Sequence, residues 1–264
     1  MILKLPSRRP VPAGGQPAGG SSGWGSGRFR LLALGLTALL VAGVAGIATY
    51  LLAAPRGTAS TQIPRPSGIP ASISTPLANL MQLSPLPHAP APGFTLTDQA
   101  GHKLSLASLQ GKVVVLEFMD PHCTDICPIV SQEFVDAYHE LGAQAGKVVF
   151  AAVNVNQFYT ATADVAAFSR EHRLTTIPDW HFFTGPVPRL RAVWRGYHIA
   201  INAPDRNGDI QHTSAVYFIG PQGRERYLAA PIVDHTKSGT AYLPIRQISQ
   251  WGHGIAVLAR GMLR

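Results

Sequence analysis

Acidic side chains are missing from the start of this chain: no Asp or Glu precedes Asp98, whereas Lys4, Arg8, Arg9, Arg28 and Arg30 all lie there. The formal charge of +8, from 22 Lys and Arg against 14 Asp and Glu, is therefore concentrated in a leader, and the remainder is close to balanced. A nucleic-acid binder needs its positive charge clustered on the folded part, so that class is excluded. Cysteine is equally scarce, with two in 264 residues. A bridge between Cys123 and Cys127 would close a loop of only five residues, which stabilises by about 2 kcal/mol in the chain-entropy picture and makes a poor staple. Two thiols also fall short of the four ligands a structural zinc site usually takes. No internal repeat is present, which leaves one ordinary domain with extensions as the expectation.

What the leader does contain is a long apolar run. Residues 31–54, LLALGLTALLVAGVAGIATYLLAA, carry no charge, and as a helix they would extend about 36 Å against a hydrocarbon core of about 30 Å. Basic residues precede the run and few follow it, so the positive-inside rule places 1–30 in the cytoplasm and the rest on the extracytoplasmic, periplasmic side of the cell membrane. The alternative is a cleaved signal peptide, because Leu52-Ala53-Ala54 resembles a small-residue cleavage site. The run exceeds the usual apolar length of such a signal, which favours a retained transmembrane anchor. Residues 1–30 read as a disordered tail, residues 55–91 as a Pro-rich tether, and 92–264 as the folded domain.

Within 92–264 the pattern alternates. Phe94–Thr97 and Lys103–Leu106 suggest a small hairpin. Residues 112–119, KVVVLEFM, form a β-branched apolar run expected of a strand buried on both faces, and 147–155 read as a second. Helical spacing covers 128–142, 162–172 and 187–197, and residues 200–211 read as a polar loop. SAVYFI and ERYLA flank Gly220-Pro221-Gln222-Gly223, a hairpin signal, and a helix over about 243–258 closes the domain. The expected class is α/β, a thioredoxin-like fold with a mixed central sheet flanked by helices and one transmembrane helix before it.

The chemistry concentrates in MDPHCTDICPIV. Cys123 and Cys127 follow the first buried strand and start the helix it feeds, where unpaired N–H groups and the positive end of the helix dipole favour thiolate. Thiolate both attacks disulfides and binds soft metals. Among ten histidines, His122 adjoins Cys123 too closely to converge on the same ion, whereas His212 ends a polar loop just before SAVYFI, a strand that should pair near the first. A Cys-Cys-His set suits Cu(I), with Cu(II) left open. A hydrogen-bonding or surface role for His212, and a redox or purely structural role for the cysteines, remain open on these residues alone. Trp180, Trp194 and Trp251 read as core or interface, while Tyr197, His198 and His235 fall in loops.

Residues from about 92 onward resemble the Sco/SenC family of membrane-anchored, thioredoxin-like copper chaperones for cytochrome c oxidase assembly. The opening FTLTDQAGHKLSLASLQGKVVVLEF is common to many thioredoxin-like proteins. Cys123-Thr124-Asp125-Ile126-Cys127-Pro128 is similar to the more specific C-P-x-x-C-P. DWHFFTG and HTSAVYFIGPQG resemble the family's tryptophan segment and its metal-binding histidine with the hairpin after it. The resemblance implies copper ligands at Cys123, Cys127 and His212, and a partner in the copper-containing subunit of cytochrome c oxidase or another copper or thiol partner. It also leaves an enzyme alternative, an exported thiol-disulfide oxidoreductase using the same cysteine pair to reduce partner cysteines. Three departures stand out: Thr124 replaces the usual proline, Gln211 stands where an aspartate is common, and VNVNQFYTATADV lacks D-P-x-R-D-T.

Overall fold

The computed structural model describes residues 67–206 and 210–263. The tail and the apolar run at 31–54 lie outside them, and among the described residues no helix is long and apolar enough to cross a membrane.

The centre of the fold is the β-branched run the sequence singles out. Strand β4 (Val113–Met119) is buried along its whole length, as is β5 (Val148–Asn154), and the two pair in parallel from Val113↔Val148 to Met119↔Asn154. Helix α2 (Ile126–Leu141) joins them, ending where Gly142 takes a φ of 55° that a side chain would resist. A third parallel strand, β6 (Trp180–Phe183), flanks β5 after helix α3 (Thr162–Glu171). The sequence reading contained only two parallel strands, because a four-residue run is too short to separate from a loop by periodicity.

Helix α4 (Val187–Gly196) leads to a two-residue ladder of β7 (Ile201–Asn202) with β8 (Gln211–His212) inside the expected polar loop. Strand β9 (Val216–Ile219) then runs antiparallel to β4, and β10 (Glu225–Ala229) antiparallel to β9, through the Gly220–Gly223 turn. After a small hairpin of β11 (Asp234–His235) and β12 (Ala241–Tyr242), helix α5 (Ile245–Met262) closes the chain. The hairpin of β2 (Thr95–Thr97) and β3 (Lys103–Ser105) forms as expected.

The tether reading of 55–91 needs correction over its described part. Helix α1 (Thr75–Leu80) and strand β1 (Ser84–Pro85) lie within it, and β1 pairs with β10 to complete a six-stranded sheet of order β1-β10-β9-β4-β5-β6. Ile73, Leu77 and Met81 are buried in the main core, so the folded unit begins well before residue 92.

Alternation along the central strands splits the interior in two. Val113, Val115 and Met119 face α1, α2 and α5, where Phe134, Trp251 and Ile255 pack. Val114, Leu116 and Phe118 face α4 and the β2–β3 hairpin, meeting Leu96, Leu190 and Trp194. Trp180, Trp194 and Trp251 are therefore core residues, as expected. Close approach of α5 to α2 requires Gly252, whose added Cβ would lie 2.7 Å from Asp136 Cβ and 3.2 Å from the Glu133 carbonyl oxygen. The result is a mixed α/β, thioredoxin-like arrangement with the cysteines at the carboxyl end of the central parallel strand.

Candidate metal centre

Strand β4 delivers the chain to Asp120, and a tight turn follows in which the Cys123 N–H donates to the Asp120 carbonyl at 3.1 Å. The cap position of α2, Asp125, makes no side-chain capping bond. Instead the Cys127 N–H donates to Cys123 Sγ at 3.5 Å, so sulfur takes the place a Ser or Asp oxygen commonly fills. Pro128 lies in the first turn, where its missing N–H costs no helical bond. Both cysteines are free thiols; Cys123 is half-buried and Cys127 is buried.

This geometry pushes the two thiols apart. Hydrogen bonding from the Cys127 thiol, countered by burial and helped by the backbone N–H groups of Cys127 and Asp125, brings the Cys123 thiol down to about 7. The same bond, together with burial and the nearby Cys123 charge, raises Cys127 well above the ordinary thiol value. Near neutrality the pair is one accessible thiolate above one protonated thiol. Beneath them, burial pushes the Glu117 carboxyl up to about 8, and burial with the charge of Glu117 raises Glu133 well above the carboxylate range. Each has one oxygen without a hydrogen-bond partner.

His212 ends β8 and is half-buried. Its Nδ1 lies 3.0 Å from the Thr213 carbonyl oxygen, which can only accept, so Nδ1 carries the proton and Nε2 keeps its lone pair. Burial lowers its pKa, favouring the neutral imidazole a metal requires. Pairing of β9 with β4 brings this segment to the cysteine loop, as the sequence reading anticipated. Cys123 and His212 line one cleft of about 960 Å³ with Asp120, Asn156, Tyr159 and Arg206. The approach is incomplete, since among the described residues no group of three or more His, Cys, Asp or Glu is close enough to hold a metal ion.

His122 is committed elsewhere, stacked on Tyr159 with ring centroids 3.9 Å apart and its Nε2 3.8 Å from Asp164. The Arg206 guanidinium lies over the Tyr159 ring, 5.0 Å from its centroid. From the far side, the β11–β12 hairpin reaches the cysteine loop, where His235 Nε2 lies 3.1 Å from Asp125 Oδ1. The sequence reading put His235 in a loop able to border the site or contact a partner, without elevating it, and did not single out Asp120, Asn156 or Glu117. The one available signal for Glu117 was a lone acid inside a continuous apolar strand.

With the geometry established, comparison with known proteins narrows its interpretation. A family model described as SCO1/SenC matches residues 85–239. The SCO1 protein homolog of Bacillus subtilis (strain 168) is 25% identical over 133 residues, covering 50% of this chain and 68% of that protein. The mitochondrial SCO2 homolog of Bos taurus is 28% identical over 142 residues, covering 49% of this chain and 50% of its own. This chain thus spans about half the length of the mammalian relative. The copper-bound structure of Bradyrhizobium japonicum ScoI aligns with TM-score 0.51 at 22% identity, covering 66% of this chain and all of that one. Copper-bound Arabidopsis thaliana ScoI aligns with TM-score 0.53 at 20% identity, covering 66% and 99%. At such identities the structural likeness establishes the fold.

Proposed function

This chain belongs to the SCO1/SenC family, and from that premise we propose that it is a copper chaperone. It binds copper through Cys123, Cys127 and His212 and delivers it to the dinuclear copper site of cytochrome c oxidase during assembly. The observation that carries this reading is the donor set around one cleft: a thiolate at Cys123, a second sulfur behind it at Cys127, and a neutral imidazole with its Nε2 lone pair at His212. Two soft sulfurs and one imidazole are the donors Cu(I) selects. Copper bound to two solved proteins of the same fold agrees with it. Residues 31–54 would hold the domain at the cell membrane with residues 67–263 on the extracytoplasmic side, where the recipient site is assembled.

An anaerobic titration of the reduced protein tests the reading. One Cu(I) per monomer is expected, with retention weakened about 10- to 100-fold in His212→Ala. A His212→Ala protein with undiminished Cu(I) affinity would remove the imidazole from the set.

A second reading draws on the split between the two thiols. A thiolate at Cys123 attacks a partner disulfide, forming a mixed disulfide and releasing one partner thiolate. Cys127, once deprotonated, then attacks Cys123 Sγ and releases the second. The partner is reduced and the Cys123/Cys127 pair oxidised. Copper binding and this cycle exclude each other at any moment, because the disulfide offers no thiolate. A pair potential far below that of the compartment, with no exchange against a partner disulfide, would rule this activity out.

A further inference from the structure

The departure at VNVNQFYTATADV coincides with a buried polar network that no ligand requires. Parallel pairing of β4 with β5 ends at Met119↔Asn154, and the Val155 N–H donates to the Met119 carbonyl at 3.0 Å. The two following turns therefore leave the sheet side by side. Asn156, 3% exposed, joins them: its Nδ2 donates to Asp120 Oδ1 at 2.9 Å. The same Asp120 oxygen accepts the His122 N–H at 2.8 Å, while the Asp120 carbonyl accepts the Cys123 N–H. Asp120, 6% exposed, thus fixes both the residue before Cys123 and Cys123 itself, and its own side chain is fixed by Asn156.

Asn156 is held on its other atoms as well. Its Oδ1 accepts the N–H groups of Phe158 and Tyr159 at 2.9 and 3.2 Å, and its own N–H donates to Asn154 Oδ1 at 2.7 Å. Asn154, fully buried, anchors the set to the residue just past the third parallel strand by donating to Thr184 Oγ1 at 3.2 Å. An amide is needed at 156 because that side chain must donate on one side and accept on the other; a carboxylate could only accept.

We infer that Asn156 is a positioning residue for the metal centre, holding the Asp120–Cys123 turn in register so that Cys123 Sγ faces the cleft. In its metal-affinity part this inference rests on the copper reading above. Its other part, the placement of Cys123 against Cys127, does not depend on metal.

The test uses Asn156→Asp, which keeps size and both accepted N–H bonds, removes the donation to Asp120 and sets a like charge against it. Two quantities are read on the reduced full chain: Cu(I) affinity and the reduction potential of the cysteine pair. The expected result is a loss of about 10- to 100-fold in affinity, the usual scale for disturbing a residue that orients a ligand, together with a measurable shift in potential. The double variant Asp120→Asn/Asn156→Asp reverses donor and acceptor across the same gap, at the cost of the His122 N–H acceptor, and should recover part of the lost affinity. Wild-type affinity and potential in Asn156→Asp would overturn the inference. Should Asn156→Asp not fold, Asn156→Ser enters the same measurements, its shorter hydroxyl falling short of Asp120. If the wild-type chain binds no Cu(I), the copper reading fails by itself, and the potentials of the single and reversed variants alone decide the role of Asn156.

Discussion

The two halves of the candidate centre are built to different standards. The cysteine half stands on two fully buried parallel strands, is capped by its own sulfur, and is tied through Asp120, Asn156 and Asn154 to the residue just past a third strand. The histidine half hangs on a ladder of two residues, β7 against β8, supported by Thr213, whose Oγ1 accepts the Ala200 N–H at 3.1 Å. One side is preorganised and the other lightly held. Under the copper reading proposed above, such a centre would take its first bonds from the thiols and draw the imidazole in afterwards.

The sharpest way to break this contrast is Cys127→Ala. If the preorganised half dominates, Cu(I) affinity falls by more than about 100-fold, or roughly 2.7 kcal/mol, exceeding the loss in His212→Ala; equal losses measured by competition with a chelator would erase the distinction. Next is Glu117→Gln, which addresses the buried acids under the cysteine half. The folded pKa of Glu117 is raised from 4.5 to about 8. The wild-type protein therefore loses stability as pH rises through that window, because its unfolded form releases a proton its folded form retains. Glu117→Gln should remove that slope, so that its advantage over wild type grows from near nothing at pH 4 to at most about 4–5 kcal/mol at pH 8 in denaturant melts.

A smaller effect concerns the thiol pair itself. The alkylation rate of Cys123 should rise with pH through a midpoint near 7, because only thiolate reacts and its fraction grows as pH increases. Since the Cys127 thiol is the largest cause of the lowered value, Cys127→Ala should move the midpoint upward, toward the ordinary thiol value near 8.5. An unmoved midpoint would assign the shift to the helix N–H groups. Smallest is Thr213→Val, which removes one hydrogen bond from the histidine half. It should lower stability by about 0.5–1.5 kcal/mol and weaken Cu(I) binding slightly, leaving Cys123 alkylation unchanged.

The legibility of the molecule follows the same division. Strands β4 and β5 and helix α2 were readable because each is long and locally consistent, and the β9–β10 hairpin because Gly220-Pro221-Gln222-Gly223 marks its turn. Strands β1 and β6 were not, since two or four residues carry no period. Helix α1 was hidden by averaging: Pro and Ser around it suggested a tether, while Leu77, Ala78 and Met81, which form one buried face, owe their helix to tertiary packing rather than propensity. At the site the cysteines announced themselves through local position. Asp120 and Asn156 could not, because their contact depends on the register of a parallel pair whose members are separated by a whole helix. Glu117 was masked by its apolar neighbours, although a lone carboxyl in a strand buried on both faces stands out once the strand is recognised, and its charge is the least of the causes that raise the Cys127 thiol.

The bond from the Cys127 N–H to Cys123 Sγ makes the first turn of α2 a witness to what happens at the sulfur. Giving a lone pair to a metal, or losing the thiolate charge in a disulfide, weakens that sulfur as an acceptor for the amide, so occupancy of the cleft would be felt in the opening turn of the helix. Amide hydrogen exchange at Cys127 would therefore distinguish free dithiol from oxidised and, on the copper reading, metallated forms, a backbone reporter that needs no spectroscopic signal from Cu(I).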